Sequence, residues 1–411
     1  MAEHYRVAVE NPRSRQRTEP PASLGEIFTL VRQGKRTRGE IARATGLAPS
    51  TVSLRVEALI QAGLLEERTG EAATGGRRAR ELQVRARAGV VAAATLGSTH
   101  LRVMLADLSA TVLHDVEAPV DVSVGPEVVV EEIWRRVADG LAATGLEPDA
   151  LRGLALGVPA PVDSRAGAIA PSVQLPGWDQ VRVYELLGAY TEALLLVEND
   201  ANLLAVAEAE LAGPAVEHLL AVKVGSRIGS GIISAGVLHQ GASGAAGEIS
   251  HTPTGGTSAI PCSCGTDDCL ESVASGSAVA ARLRAAGRDV PGTAALLELA
   301  RIGDPQVVAE LREAGQRVGE VLAEVVNFLN PHAVAFGGVL ATSAPFVAAV
   351  RGVLFQRCLP IVSAVLDVRE GRGGPSAEAL GGVRLILERI LTADAVDKLV
   401  AERRSVAENQ K

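Results

Sequence analysis

Three of the four cysteines in this 411-residue chain, Cys262, Cys264 and Cys269, fall within eight residues, and His251 lies eleven positions before the first of them. One imidazole and three thiolates in a His-x10-Cys-x-Cys-x4-Cys pattern suit a closed, tetrahedral structural Zn2+ site that a single loop can wrap. Free cysteines are often simply small buried hydrophobes. That reading leaves the clustering unexplained, and residues 265–268, Gly-Thr-Asp-Asp, are loop-forming rather than apolar. Whatever fold surrounds it, the chain has to accommodate a loop tied to a metal ion.

Two carboxylates bracket the cluster, Glu248 three residues before His251 and Glu271 two after Cys269. A metal-clamped loop is a rigid platform, and acidic side chains on it suit the hydroxyls of a polyol, accepting from each O–H. Taken singly, each glutamate is equally an ordinary solvated charge.

The length is enough for two or three domains and a large core. Apolar residues make up 47% but aromatics only 2%, so Ala, Val and Leu must build that core. No apolar run approaches the ~18–20 residues of a membrane span, and the N-terminus lacks the apolar stretch of a signal peptide. A reduced thiol cluster fits a cytoplasmic protein. The net charge of −8 hides an asymmetry: residues 1–88 carry 16 Lys and Arg against 10 Asp and Glu, the remainder 24 against 38. A basic module ahead of an acidic body is the pattern of a nucleic-acid-binding head on a sensor or enzyme.

The first 20 residues, rich in Arg, Pro, Ser and Glu, read as a disordered tail. Leu24, Ile27, Phe28 and Val31 then mark one face of a helix. Thr37 and Glu40 form a capping box that opens a second helix, Gly46 supplies a turn, and Pro49 suits the first position of a third. Val52, Val56 and Leu59 are its buried stripe. This is a helix-turn-helix whose second member enters the major groove. Ser50, Thr51, Ser53 and Arg55, off that stripe, are the candidates for reaching bases or phosphates. A plain helical hairpin would also have a polar face, but two strands follow, residues 64–68 and 80–84. Between them lies a Gly-rich, basic tip carrying Arg77 and Arg78, as a DNA-binding wing needs. The winged helix-turn-helix is expected over residues 21–86.

The sequence from Gly247 to His251, followed by Cys-x-Cys-Gly-x3-Cys-x-Glu, resembles the zinc and sugar-binding signature of the ROK family, which comprises sugar-responsive repressors, uncharacterised reading frames and sugar kinases. The N-terminal module likewise resembles the winged helix-turn-helix of ROK repressors. The resemblance implies an α/β body of the two-lobed actin-like, sugar-kinase (ribonuclease H-like) fold. Its first lobe is expected over residues 89–205, completed by about 381–400, where Gly381 and Gly382 open a last helix. The second lobe, with the zinc loop, is expected over residues 206–380.

The resemblance also implies roles. The phosphate loop of ROK kinases carries a magnesium-binding Asp where this chain has Thr95, and a hydroxyl is a poor ligand for a hard cation. Arg227 and Ser230 replace two glycines of the second phosphate loop, crowding the backbone. Asp200 stands at the position of the general base, and the preceding Asn199 at a sugar contact. On residue type alone, both are equally helix-capping residues. The expected sugar site is therefore Asn199, Asp200, Glu248, His251 and Glu271, beside a nucleotide site that has decayed.

The resulting expectation is a regulator that binds operator DNA and a sugar effector as a homodimer or homotetramer, without phosphorylating the sugar. The alternative is an ATP-dependent sugar kinase carrying a DNA-binding head.

Overall fold

The computed structural model describes residues 22–409 apart from 70–79, 98, 164–166, 171, 173–174, 180, 257 and 263. The expected tail at 1–20 and the wing-tip residues Arg77 and Arg78 lie outside the described residues. Two units are formed: residues 1–85 with 391–411, and residues 86–390.

In the first unit, caps and apolar spacing place the helices. Helix α1 (Leu24–Arg32) starts at Ser23, whose hydroxyl accepts from the Glu26 N–H while the Glu26 carboxylate accepts from the Ser23 N–H. Ile27, Phe28 and Val31 are its buried side chains. Helix α2 (Arg38–Thr45) opens on the same reciprocal arrangement between Thr37 and Glu40, and ends at Gly46 with φ +69°. That left-handed angle is one a side chain would strain. Helix α3 (Pro49–Gln61) has no side-chain cap at Ala48 and relies on Pro49 at its first turn. Strands β1 (Leu65–Thr69) and β2 (Arg80–Val84) pair antiparallel, Leu65 opposite Val84 and Thr69 opposite Arg80.

The second unit is a duplicated α/β arrangement. Strands β3 (Val90–Leu96), β4 (His100–Asp107) and β5 (Val112–Pro119) form an antiparallel meander, and α4 (Pro126–Ala143) packs against it. Strand β6 (Leu151–Val158) pairs in parallel with β3. The small hairpin of β7 (Val162–Asp163) and β8 (Ala168–Ile169) and helix α5 (Val183–Gly188) lead to β9 (Leu194–Asn199), parallel to β6. Helix α6 (Asp200–Ala212) follows without a break. The second sheet repeats the plan: the antiparallel β10 (Leu219–Val224), β11 (Ile228–Ser234) and β12 (Val237–Leu238) come first. The cysteine-bearing loop then leads into helices α7 (Leu270–Ala274), α8 (Gly276–Ala285), α9 (Thr293–Arg301) and α10 (Pro305–Leu329). Strand β13 (Ala333–Gly337) joins β10 in parallel, and β14 (Asp367–Glu370) joins β13 after α11 (Ala344–Arg357) and α12 (Pro360–Ser363). Strand orders are β5-β4-β3-β6-β9 and β12-β11-β10-β13-β14, the same permutation twice.

Helix α13 (Ala377–Ile390) returns to pack on β3, β6 and α6. Gly381 and Gly382 lie inside it, not at its start as the sequence suggests. Glycine is a poor helix former, but here the missing side chain is what lets two helices touch. A β-carbon at Gly381 would stand 1.9 Å from the Leu203 carbonyl oxygen on α6. Helix α6 is equally close to β11, where a β-carbon at Gly231 would fall 2.4 Å from the Ala201 carbonyl oxygen. So α6 and α13 lie between the sheets at backbone-contact distance.

A separate final helix, α14 (Ala393–Asn409), joins the first unit and packs on α1. Val396 and Val400 are buried there, and the Gly25 N–H donates to Asp397 Oδ1 at 2.9 Å. The sequence reading assigned residues as far as about 400 to the first lobe of the body. In the structure the change of partner falls at residue 391.

Candidate functional site

A cleft of about 590 Å³ opens in the second unit, walled by residues from both sheets. All five candidate sugar-site residues line it: Asn199, Asp200, Glu248, His251 and Glu271. Asn199 and Asp200 arrive from the end of β9, a parallel strand whose C-terminal edge faces a crevice. Asn199 caps α6 through Oδ1, which accepts from the Ala201 and Asn202 N–H groups, and its Nδ2 donates to the Ala160 carbonyl. The capping alternative therefore describes Asn199 in this state, while Asp200, at the first helical turn, keeps its carboxylate for other partners.

Glu248 reaches the cleft because of the residue before it. Gly247 has φ +92° and packs so tightly that a β-carbon would lie 2.6 Å from the Ser230 carbonyl oxygen. The Ser230 hydroxyl donates to the Gly247 carbonyl at 2.6 Å, tying this turn to β11. Glu248 is half-buried, and burial pushes its carboxyl above the usual range against the opposing pull of His251.

Glu271 stands at the start of α7, 4% exposed. Its Oε2 accepts from the Ile228 N–H at 2.7 Å and its Oε1 from Arg227 Nη1 at 3.0 Å. Burial raises its pKa and the Arg227 charge opposes the rise. Arg227 thus sits in the β10–β11 turn, where the family's kinases have a glycine, and spends its guanidinium on a candidate sugar ligand. Thr95 is buried within β3 and does not line the cleft; Gly97 and His100 do so at that corner.

The sequence reading missed Lys223. It lies near the end of β10, with Nζ 2.5 Å from Asp200 Oδ2 and 2.7 Å from Glu378 Oε1 on α13. Burial alone would lower the ammonium's pKa, but the two carboxylates outweigh it and hold the pKa above its ordinary value. A signal was present: a lysine in the otherwise apolar run Leu-Leu-Ala-Val-Lys-Val, of a type almost never buried unless paired. Also missed was Glu208, fully buried on α6, which accepts from Arg369 and from the Arg372 and Gly373 N–H groups beside the cleft.

The metal candidates converge. One ligand atom from each of His251, Cys262, Cys264 and Cys269 lies within 4.8 Å of all the others. His251 Nδ1 is 3.2 Å from Cys262 Sγ, and Cys264 Sγ lies 3.3 Å and 3.2 Å from those of Cys262 and Cys269. Four-coordinate Zn2+ with bonds of about 2.3 Å to sulfur sets sulfurs about 3.8 Å apart, so a small outward adjustment accepts the ion. Since Nδ1 faces the thiols, Nε2 is the ring's remaining polar atom, and His251 also lines the cleft.

On α3, Ser50 and Ser53 are exposed and Thr51 is half-buried. Arg55 is also half-buried, its Nη1 enclosed without a hydrogen-bond partner. Position 55 borders the stripe of Val52, Val56 and Leu59 and turns partly under the helix. Leu54, not singled out from the sequence, is 74% exposed between them.

The ROK family model matches residues 91–388, and a winged helix-turn-helix DNA-binding model matches residues 27–66. The xylose repressor of Bacillus spizizenii is 25% identical over 366 residues, spanning 88% of this chain and 94% of its own. The DNA-binding transcriptional dual regulator NagC of Escherichia coli K12 is 27% identical over 371 residues, 84% and 89% of the two chains. Among solved structures, a ROK family transcriptional regulator homologous to the Escherichia coli MLC protein superposes with TM-score 0.75 at 24% identity, covering 92% of this chain and 98% of its own. The ROK hexokinase of Thermus thermophilus gives TM-score 0.60 at 28% identity, covering 73% and 99%. The regulators match across head and body, whereas this hexokinase spans about three quarters of the chain. Among the described residues no helix is long and apolar enough to cross a membrane.

Proposed function

The chain belongs to the ROK family, and on that premise we propose that it is a sugar-responsive transcriptional regulator, a repressor whose kinase-like body binds its effector without phosphorylating it. The observation that carries this reading is a conjunction on one chain. A helix-turn-helix head accompanies a cleft lined by all five candidate sugar-site residues, while Lys223 is ion-paired to Asp200, at the general-base position, and Arg227, in the β10–β11 turn, to Glu271.

Asp200, Glu248 and Glu271 accept hydrogen bonds from sugar hydroxyls, and His251 presents its second ring nitrogen. Zn2+ held by His251, Cys262, Cys264 and Cys269 fixes the loop that carries these groups and takes no part in chemistry. Helix α3 enters the major groove of an operator, with Ser50, Thr51 and Ser53 near base edges and Arg55, Arg77 and Arg78 serving phosphates. Helix-turn-helix modules read paired half-sites, so the chain works as a homodimer or homotetramer in the cytoplasm.

The test is thermal melting with a panel of sugars and, separately, with ATP and magnesium. A ligand at 100 times its Kd adds ~2.7 kcal/mol to the native state. Stabilisation by a sugar alone, coupled to altered operator footprinting, is the expected result. Stabilisation by ATP–magnesium with sugar turnover would assign the chain to the kinases instead.

A further inference from the structure

Lys223, Asp200 and Glu378 come from three elements, β10, the start of α6 and the start of α13, and meet at the floor of the cleft. Asp200 is 6% exposed, and the charged ends of the other two side chains are drawn into the same enclosure. Two carboxylates at such a site cannot both stay ionised without a counter-charge. The ammonium supplies it from within the chain. Among the described residues lining the cleft, seven carry carboxylates and two a permanent positive charge, Lys223 and Arg227. Both cations are already engaged, Arg227 with Glu271. An incoming anion would find no unpaired cation and an excess of like charge.

We propose that Lys223 is a tethered counter-ion that holds Asp200 as a fixed hydrogen-bond acceptor and commits the cleft to an uncharged polyol rather than a phosphorylated one. This rests on the sugar-binding reading above and adds the ligand's charge class and the residue that sets it. A carboxylate saturated by an ammonium remains an acceptor for a hydroxyl, since each oxygen has two lone pairs. It is a weakened base, so the same contact that keeps Asp200 ionised disfavours proton removal. The other titratable groups facing this centre are Glu248, which feels the Asp200 charge, and His100, which faces Glu378. Lys223 is a positioning residue: it acts on the ligand through Asp200.

The experiment compares the full-length wild type with Lys223→Met and with Lys223→Met/Glu378→Gln, which removes one carboxylate together with the cation. Affinity for the neutral monosaccharide that most stabilises the wild type is measured from pH 5.5 to 8.5, as is the melting temperature without ligand. The wild type should bind with less than about twofold variation. In Lys223→Met the two carboxylates share a proton, so affinity should fall at least tenfold towards the acidic end as Asp200 ceases to be a pure acceptor. The double variant should recover a nearly flat profile. The 6-phosphate of the same sugar should bind the wild type at least tenfold more weakly.

A flat profile in Lys223→Met, or a double variant as impaired as the single one, overturns the role of Lys223. Equal or tighter binding of the phosphate ester overturns the charge class. If no sugar binds the wild type, the sugar reading falls, and with it the ligand class. The counter-ion is then judged from the melts alone. Carboxyls with folded pKa values raised above the unfolded ones stabilise at low pH and lose that contribution as pH rises. Lys223→Met must therefore fall further below the wild type towards pH 8.5, and Glu378→Gln must relieve it. Parallel melting curves overturn the proposal.

Discussion

Arg227 Nη1 lies 3.0 Å from Glu271 Oε1, so a side chain in the β10–β11 turn is bonded to the first turn of the helix that leaves the cysteine-bearing loop. The Ile228 N–H donates to the other oxygen of the same carboxylate. The β10–β11 hairpin is thereby fastened to Glu271 in the wall of the cleft.

Arg227→Met removes the cation from a carboxylate that is almost wholly buried. The Arg227 side chain is 29% exposed, which places the pair between surface and core cases, and a loss of about 2–3 kcal/mol is expected. Chemical denaturation of Arg227→Met, Glu271→Gln and the double variant measures it. The double variant should lose less than the two singles together; strict additivity would mean that the two groups do not interact in solution.

Purified protein should contain one equivalent of Zn2+. Burial beside the other two thiols pushes Cys269 up to about 12 without metal, whereas hydrogen bonding with Thr266 brings Cys264 down to about 6. Metal capture must expel protons, so zinc affinity should tighten as pH rises. Elemental analysis and competition with a chromogenic chelator follow this. Cys264→Ser should bind zinc at least tenfold more weakly and lose the sugar response; unaltered zinc content would remove Cys264 from the ligand set.

On DNA, the exposed Leu54 has the chemistry to touch a thymine methyl group, and the exposed Ser53 is expected to hydrogen-bond a base edge. Leu54→Ala should cost about 1 kcal/mol on a selected operator, an estimate at the low end of single base-pair discrimination. Replacing the relevant thymine by uracil should weaken the wild type and leave Leu54→Ala unaffected. A uracil scan that moves both proteins equally would rule the contact out. Arg77→Ala with Arg78→Ala should lower affinity on every sequence and flatten the salt dependence by about two counterions.

The wild type should show sugar affinity with no ATP-dependent turnover near the ~1–100 per second of working kinases. Restoring Thr95→Asp and Arg227→Gly should still leave the chain inactive, because Lys223 remains on Asp200. Adding Lys223→Thr is the step expected to release a trace of activity in a coupled assay. Turnover in the two-site variant would show that Lys223 does not restrain Asp200.

Local chemistry is legible in the sequence: the Thr37–Glu40 box and the His251 to Cys269 spacing act within a few residues or around one site, whereas the Ser23–Glu26 box went unread. What escaped was chemistry assembled by the fold. Lys223 stands 155 residues from Glu378, and no local pattern joins them. Gly381 and Gly382 read as a helix start, but they lie inside α13, and the reason for Gly381 is on α6, at the Leu203 carbonyl. Arg55 is read from the sequence as lying off the buried stripe, and its half-burial with Nη1 enclosed depends on packing that the helical spacing does not show.

The packing of α14 on α1, tied by the Gly25 N–H to Asp397, has a consequence for the order in which the chain is made. Residues 24–61 leave the ribosome more than three hundred positions before the helix that covers α1 exists. Until α14 arrives, α1 lacks the helix that packs on it at Gly25, and a chain stopped short of residue 393 carries a helix-turn-helix head with that flank open. The head is therefore complete only when translation has passed through residues 86–390, and a truncated chain that ends before residue 393 is expected to carry a less stable head than the full chain.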